Sequence, residues 1–346
     1  MIKLDLRHNQ ITQIPDALGQ LFKLIELNLR GNKITSIPKV IRQLSNLKRL
    51  NLACNEIRSI PKEIGGLSNL RGLDLHDNKI TSIPEAFWRL SNLTRLDLRD
   101  NKITSIPEAI GQLSNLTRLD LSNNKITSAP EALWRLSNLT ELYFSTNQVT
   151  QISGALGQLS NLRELDLGGN EIASIPKELG QLSNLKTLNL RCTWITSIPE
   201  VVWQLSNLRR LNLGFNRITE IPENIRQLSN LTELDLTCIY ITSIPETIWQ
   251  LSNLSLLNLS HNWITEISET VTQLSNLTEF LLDSNQITEI PQAIRSMKNL
   301  EKLDLRGNPC RFPRKFWGTV KTMEVVVICE PFSILTSPPA TQRCPS

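Results

Sequence analysis

No stretch of the 346 residues approaches the roughly 18 uninterrupted apolar positions that a membrane helix needs, so no membrane association is expected. A dominant charge is missing too. Lys+Arg 37 against Asp+Glu 33 leaves a formal net charge of +4, too small a surplus to mark a nucleic-acid or membrane-surface protein. Cysteine is sparse: none of the six belongs to a CxxC pair, which excludes a zinc ribbon or a thioredoxin-type motif. Cys54, Cys192 and Cys238 stand singly, whereas Cys310, Cys329 and Cys344 fall close enough together for one late disulfide. No GxxxxGK[ST] phosphate loop occurs. The opening MIKLDLRHNQ lacks the apolar stretch of a signal peptide, and a cytoplasmic chain with free thiols is expected. What is present, 40% hydrophobic and 20% charged residues, is enough to fold.

The chain is periodic. Asn9, Asn32, Asn55, Asn78, Asn101, Asn124, Asn147 and Asn170 are spaced 23 residues apart, and the register resumes at Asn216, Asn262, Asn285 and Asn308. Thr193 and Ile239 occupy the same position in two periods, giving 14 periods over residues 1–308. One period reads LDLRDNKITSIPEAIGQLSNLTR from Leu96. In Leu96-Asp97-Leu98 the period of two places both leucines on the inner face of a short strand and Asp97 on the outer one. The asparagine then turns the chain, and its amide is expected to satisfy backbone groups of its own and neighbouring turns. Ile103 and Ile106 point inward, Pro107 opens a short helical or 3₁₀ segment, and Ile110, Leu113 and Leu116 close the core. Residues 309–346 leave the pattern. Thr322 to Ile328 are expected to form a capping strand, and the segment from Pro338-Pro339 a loose tail.

The LxLxxNxI pattern identifies the leucine-rich repeat family. It implies an α/β solenoid: a curved right-handed stack with a parallel β-sheet on the concave side and short helical or 3₁₀ turns on the convex side. The 23-residue form with Ile-Pro after the turn resembles the branch containing Ras-binding scaffolds, plant intracellular Ras-group proteins and the repeat arms of Roco proteins, especially cyanobacterial ones. Eleven of the thirteen slots from Pro15 to Pro291 hold proline, with Ser153 and Ser268 as exceptions. Leu303 to Pro313, LDLRGNPCRFP, resembles the closing unit that precedes the Roco GTPase. That resemblance implies intracellular signalling with a small GTPase as partner; the alternative it implies is a detached regulatory arm of a Roco-type GTPase or kinase. Because the chain begins inside its first strand, at Ile2-Lys3-Leu4-Asp5-Leu6, an uncapped edge open to self-association, or a fragment of a longer chain, is also expected.

Function in a solenoid resides where columns depart from the repeat. The residue after the ladder position is usually Lys, Gln or Glu, but becomes Trp194, Arg217, Tyr240 and Trp263 in consecutive periods. Phe215 stands just before the ladder position, and both missing asparagines fall in the same stretch. At about 4.8 Å per strand these side chains form one strip, of the residue types that dominate interface energetics. Leu256 and Leu281, which replace polar residues of the sheet face, and His261 are expected to extend it. The competing explanation is that the large side chains fill gaps left by the altered turns. Tyr143 is an isolated departure.

Elsewhere the outer strand positions alternate acid (Asp5, Asp74, Asp97, Asp120) with arginine (Arg7, Arg30, Arg95, Arg99), a self-paired face unsuited to nucleic acid. His8, His76 and His261 lie whole periods apart and are not expected to share a metal. Cys238, His261 and Asp283 on adjacent strands make a cysteine enzyme a minor alternative, but an open sheet offers no oxyanion site. Trp88, Trp134, Trp203 and Trp249 share a column with Gly65, Gly111, Gly157 and Gly180, though Arg226 lies between Trp203 and Trp249, as expected for packing along the convex ridge. The expectation is therefore a non-catalytic protein-recognition scaffold without cofactor or metal.

Overall fold

In the computed structural model, which describes residues 2–310, every period opens with a three-residue strand. The alternation of the sequence becomes an alternation of burial. Leu96 and Leu98 are buried, while Asp97 and Arg99 remain partly open on the other face.

The chain leaves each strand through a left-handed residue. Most of these carry a side chain, including Asp77 (φ 52), Asp100 (φ 55), Phe215 (φ 57) and His261 (φ 56), with glycine only at Gly31, Gly169 and Gly307. For a residue with a Cβ that conformation costs about 1–2 kcal/mol. The next residue offsets it. Asn101 donates Nδ2 to Leu75 O and Leu98 O, both at 3.0 Å, and the Oδ1 of Asn124 accepts from Ile103 N at 3.0 Å. From Asn32 onward each ladder amide thus joins two periods through largely buried groups, whereas the exposed Asn9 bonds only within its own period.

The outer turn is a five-residue 3₁₀ helix, for example Glu108–Gln112, entered from Pro107 in an extended conformation. Proline suits this slot because its φ is preset and no N–H is needed there. The two slots with serine solve the problem differently: Ser153 Oγ accepts from Ala155 N and Ser268 Oγ from Thr270 N, each capping its turn.

The chain divides into two compact units. Unit 1 comprises Met1–Glu171 and Ile175–Asn184. It holds β1 (Lys3–Asp5), β2 (Glu26–Asn28), β3 (Arg49–Asn51), β4 (Gly72–Asp74), β5 (Arg95–Asp97), β6 (Arg118–Asp120), β7 (Glu141–Tyr143) and β8 (Glu164–Asp166). These strands pair in parallel and in chain order, with Leu73 opposite Leu96 and Asp97 opposite Asp120. Unit 2 comprises Ile172–Ser174 with the described residues from Leu185 onward. Its strands are β9 (Thr187–Asn189), β10 (Arg210–Asn212), β11 (Glu233–Asp235), β12 (Leu256–Asn258), β13 (Glu279–Leu281) and β14 (Lys302–Asp304), again parallel and in order. In both units the expected leucine-rich repeat architecture is present: parallel strands on the concave side, 3₁₀ turns on the convex side.

The convex tryptophans sit deeper than a ridge. Trp88, Trp134, Trp203 and Trp249 are all buried, with Trp88 edge-on to Phe87 and Trp249 edge-on to Phe280. Of the bordering glycines, Gly65 serves the backbone, since a Cβ there would lie 2.1 Å from Ala86 O. The Asn-Leu-Thr triplets are framework: Asn92 Nδ2 donates to Ser68 O at 2.8 Å. The capping strand expected at Thr322 to Ile328, the tail from Pro338-Pro339, Cys329, Cys344 and the end of LDLRGNPCRFP lie outside the described residues.

Candidate functional site

The aromatic strip belongs to unit 2. Trp194, Arg217 and Trp263 are exposed, and their backbone N–H groups donate to Ile172, Ile195 and Ile241, fixing the three at equivalent points of their turns. Tyr240 shares the column, half-buried and left-handed at φ 64. Phe215 is half-buried beneath the Arg191 guanidinium, 4.0 Å from its ring centre, a cation–π contact. Trp194 and Trp263 stand three strand spacings apart, about 14 Å.

The altered turns do not need these side chains. Thr193 is buried, its hydroxyl 2.9 Å from Leu190 O and 2.8 Å from Asn216 Oδ1. Asn216 Nδ2 covers Leu190 O and Leu213 O, both at 2.8 Å. At the second missing asparagine, Ile239 is fully buried, and Asn262 Oδ1 accepts from Ile239 N (3.1 Å) and Ile241 N (3.3 Å). The neighbouring ladder asparagine therefore does the repair. Trp194 keeps 48% and Trp263 43% of its surface exposed. Ile2 and Phe22 are the other exposed large hydrophobics among the described residues.

The remaining candidates divide. Leu256 and Leu281 are half-buried on β12 and β13, beside Glu279 and Asn258 in the strand register, so they stand on the sheet face and not in the strip's own column. His261 is exposed, its Nε2 3.3 Å from Asp283 Oδ2. What argues against the cysteine-enzyme alternative is the thiol and not this pairing, which a triad would also make: burial pushes the Cys238 thiol up, away from thiolate.

Unit 1 presents a charged face. Arg49 and Lys3 both pair with Glu26, Arg118 pairs with Glu141, and Arg99 lies 3.7 Å from Asp97, so the expected self-pairing is there. Tyr143 joins this network. Arg118 lies over its ring at 4.5 Å, its hydroxyl donates to Glu164, and burial together with that carboxylate holds the phenol protonated. Glu26, Arg49, Asp74, Arg95, Asp97 and Arg118 border a depression of about 430 Å³ at which Gly72 contributes no side chain.

One arrangement here has no counterpart in the sequence reading. Asp74, Asp97 and Asp120 are consecutive in their column, and His76 stands two residues after Asp74, hence on the same face. His76 Nδ1 lies 2.7 Å from Asp74 Oδ1 and 3.8 Å from Asp97 Oδ2. Its other ring nitrogen is 3.6 Å from Cys54 Sγ. Burial, with Asp120 next to it, raises the Asp97 carboxyl to about 6. Burial also raises the Cys54 thiol, against the pull of Arg30, so this cysteine is no activated nucleophile either. The search for shared histidines missed the cluster; a period-of-two search for histidine beside the aspartate column would have found it.

A leucine-rich repeat protein of Leptospira interrogans is 37% identical, matching 94% of this chain and 83% of its own with a TM-score of 0.88. The plant peptide hormone receptor RGFR1, solved in complex with RGF2, is 27% identical over 94% of this chain and 62% of its own, TM-score 0.70. This chain thus spans less than two thirds of that receptor. An internalin of Listeria monocytogenes, 22% identical over 95% of this chain and 88% of its own, TM-score 0.73, shares the fold. No curated protein matches.

These findings correct three expectations. The Ras-group and Roco resemblance, the small GTPase as partner and the cytoplasmic location give way to likeness with a leptospiral repeat protein and plant receptor ectodomains. The reason is physical. The Ile-Pro pair, the ladder asparagine and the core leucines are all used in packing and backbone bonding, so they specify a turn of solenoid and carry no record of compartment or partner. What the fold does carry is recognition of proteins or peptides, without catalysis. Matches to the leucine-rich repeat region at residues 40–144 and 147–243, and to the leucine-rich repeat at 2–57 and 229–287, span most of the sequence: the chain belongs to the leucine-rich repeat family.

Proposed function

We propose that this chain is a non-catalytic recognition module that binds a protein or peptide through the strip of Trp194, Phe215, Arg217, Tyr240 and Trp263 on unit 2, with His261, Leu256 and Leu281 beside it. The observation that carries the reading is the exposure of Trp194 and Trp263 in one column whose altered turns are repaired from within. Tryptophan, tyrosine and arginine concentrate binding energy when a partner desolvates them, and an exposed aromatic row seldom persists without one. The receptor bound to its peptide supports a ligand of the same kind and an exported setting. The reading takes residues 1–308 as the repeat body, in 14 periods, and 309–346 as its closing segment.

Panning a displayed peptide library against the immobilised chain tests this. Enriched peptides are expected to lose about tenfold or more in affinity for a Trp194→Ala/Trp263→Ala variant whose circular dichroism is unchanged. Equal affinity for the two chains would move the binding surface elsewhere.

A further inference from the structure

The His76 cluster of unit 1 has the features of a metal site and differs from an ordinary acidic patch in two ways. First, its nitrogen donor is enclosed: the His76 side chain is only 7% exposed, against 28% for Asp74 and 21% for Asp97. Second, the ligand side chains are oriented by further groups. Asp74 Oδ2 accepts from Asn51 Nδ2 at 3.1 Å, Asp97 Oδ1 accepts from Arg99 N at 3.1 Å, and Cys54 Sγ faces His76 Nε2. The 2.7 Å contact between Nδ1 and Asp74 Oδ1 holds a hydrogen, and Nε2 is the ring nitrogen that faces the sulfur. Such outer partners are what fix tautomer and ring orientation in histidine metal sites.

We infer that Asp74, His76 and Asp97 bind one divalent transition-metal ion of the zinc or manganese kind, through His76 Nδ1 and one oxygen of each carboxylate. The three donor atoms lie within 4.8 Å of one another, and this is the sole such group among the described residues. One imidazole with two carboxylates suits zinc or manganese and not the all-oxygen preference of calcium or magnesium. On binding, the ion takes the place of the hydrogen between Nδ1 and Asp74 Oδ1; the ring keeps one proton on Nε2, facing Cys54 Sγ, and a doubly protonated ring releases its second proton to solvent. Arg99, the guanidinium 3.7 Å from Asp97 Oδ2, is free to swing outward because its side chain is 41% exposed.

The test is calorimetric titration of the chelator-stripped full chain with Zn²⁺, Mn²⁺ and Ca²⁺ separately, with histidine ¹⁵N resonances followed during the Zn²⁺ arm. One Zn²⁺ or Mn²⁺ per chain is expected, with the His76 ring shifting while those of His8 and His261 stay in place. Asp97→Asn, which is nearly isosteric, and His76→Gln should each weaken Zn²⁺ binding about tenfold or more, and Asp235→Asn, in the same column of unit 2, should not. If His76→Gln fails to fold, Asp97→Asn decides. Absence of one-to-one Zn²⁺ or Mn²⁺ binding, undiminished binding in Asp97→Asn, a shift at His8 or His261 instead, or Ca²⁺ binding as tight as Zn²⁺ would overturn the inference.

Discussion

Units 1 and 2 are built from the same 23-residue template and use its free columns in opposite ways. Unit 1 keeps its described ladder asparagines and fills its strand face with aspartates, arginines and one enclosed histidine. Unit 2 loses two ladder asparagines and lines the following column with tryptophan, arginine and tyrosine. The difference separates scaffold from surface. Core leucines and ladder amides carry the fold in both units, so the columns they do not use can drift toward charge in one and toward aromatic area in the other. The charged face neutralises itself pair by pair, whereas the aromatic column leaves its two tryptophans exposed among the described residues.

The largest effect should come from the shared scaffold. Leu119→Ala in unit 1 and Leu234→Ala in unit 2, both fully buried, are each expected to cost about 2–5 kcal/mol, read from chemical denaturation, with hydrogen exchange accelerating first in adjacent periods. Next is the ladder. Asn216→Ala should cost about 2–3 kcal/mol, because it takes a partner from Leu190 O, Leu213 O and the Thr193 hydroxyl at once. Conversely Thr193→Asn, which restores the ladder, should stabilise unit 2 by about 1 kcal/mol in the same assay. A null result there would mean that Thr193 and Asn216 already replace the missing amide in full.

A smaller effect separates the charged face. The folded Asp97 carboxyl is raised to about 6 from 3.8, so between those values the folded chain holds its proton more tightly than the unfolded one. Stability must therefore fall as pH rises through that window in chelator-treated protein, and the penalty is complete above it. Asp97→Asn cannot ionise. Its melting temperature should gain on the parent from pH 4 to pH 6, and parallel curves would contradict the assigned burial.

The fold was legible because its determinants recur. Period, strand, proline slot and ladder repeat every 23 residues, and each is a packing or backbone requirement that any period must meet. The aromatic column was legible for the same reason, as a departure from a known template. The deep placement of Trp88 and Trp134 was not, because a column does not reveal how far a side chain reaches into the core. Nor was the His76 cluster, which depends on one residue in a single period meeting carboxylates of its own strand and the next. The partner was misread because the residues that suggested it serve only the turn; the compartment was read from the opening residues, which form β1 and record only the repeat.

The sharpest comparison of the two units is also the least destabilising. Affinity for one selected peptide should be measured beside melting temperature for the parent, Trp194→Ala/Trp263→Ala, and Arg49→Ala/Arg95→Ala chains. All three should melt alike, with each exposed substitution costing about 0.5 kcal/mol or less, and only the tryptophan variant should lose about tenfold or more in affinity. Loss of binding in the arginine variant with the tryptophan variant unaffected would contradict this, placing recognition on the charged face of unit 1.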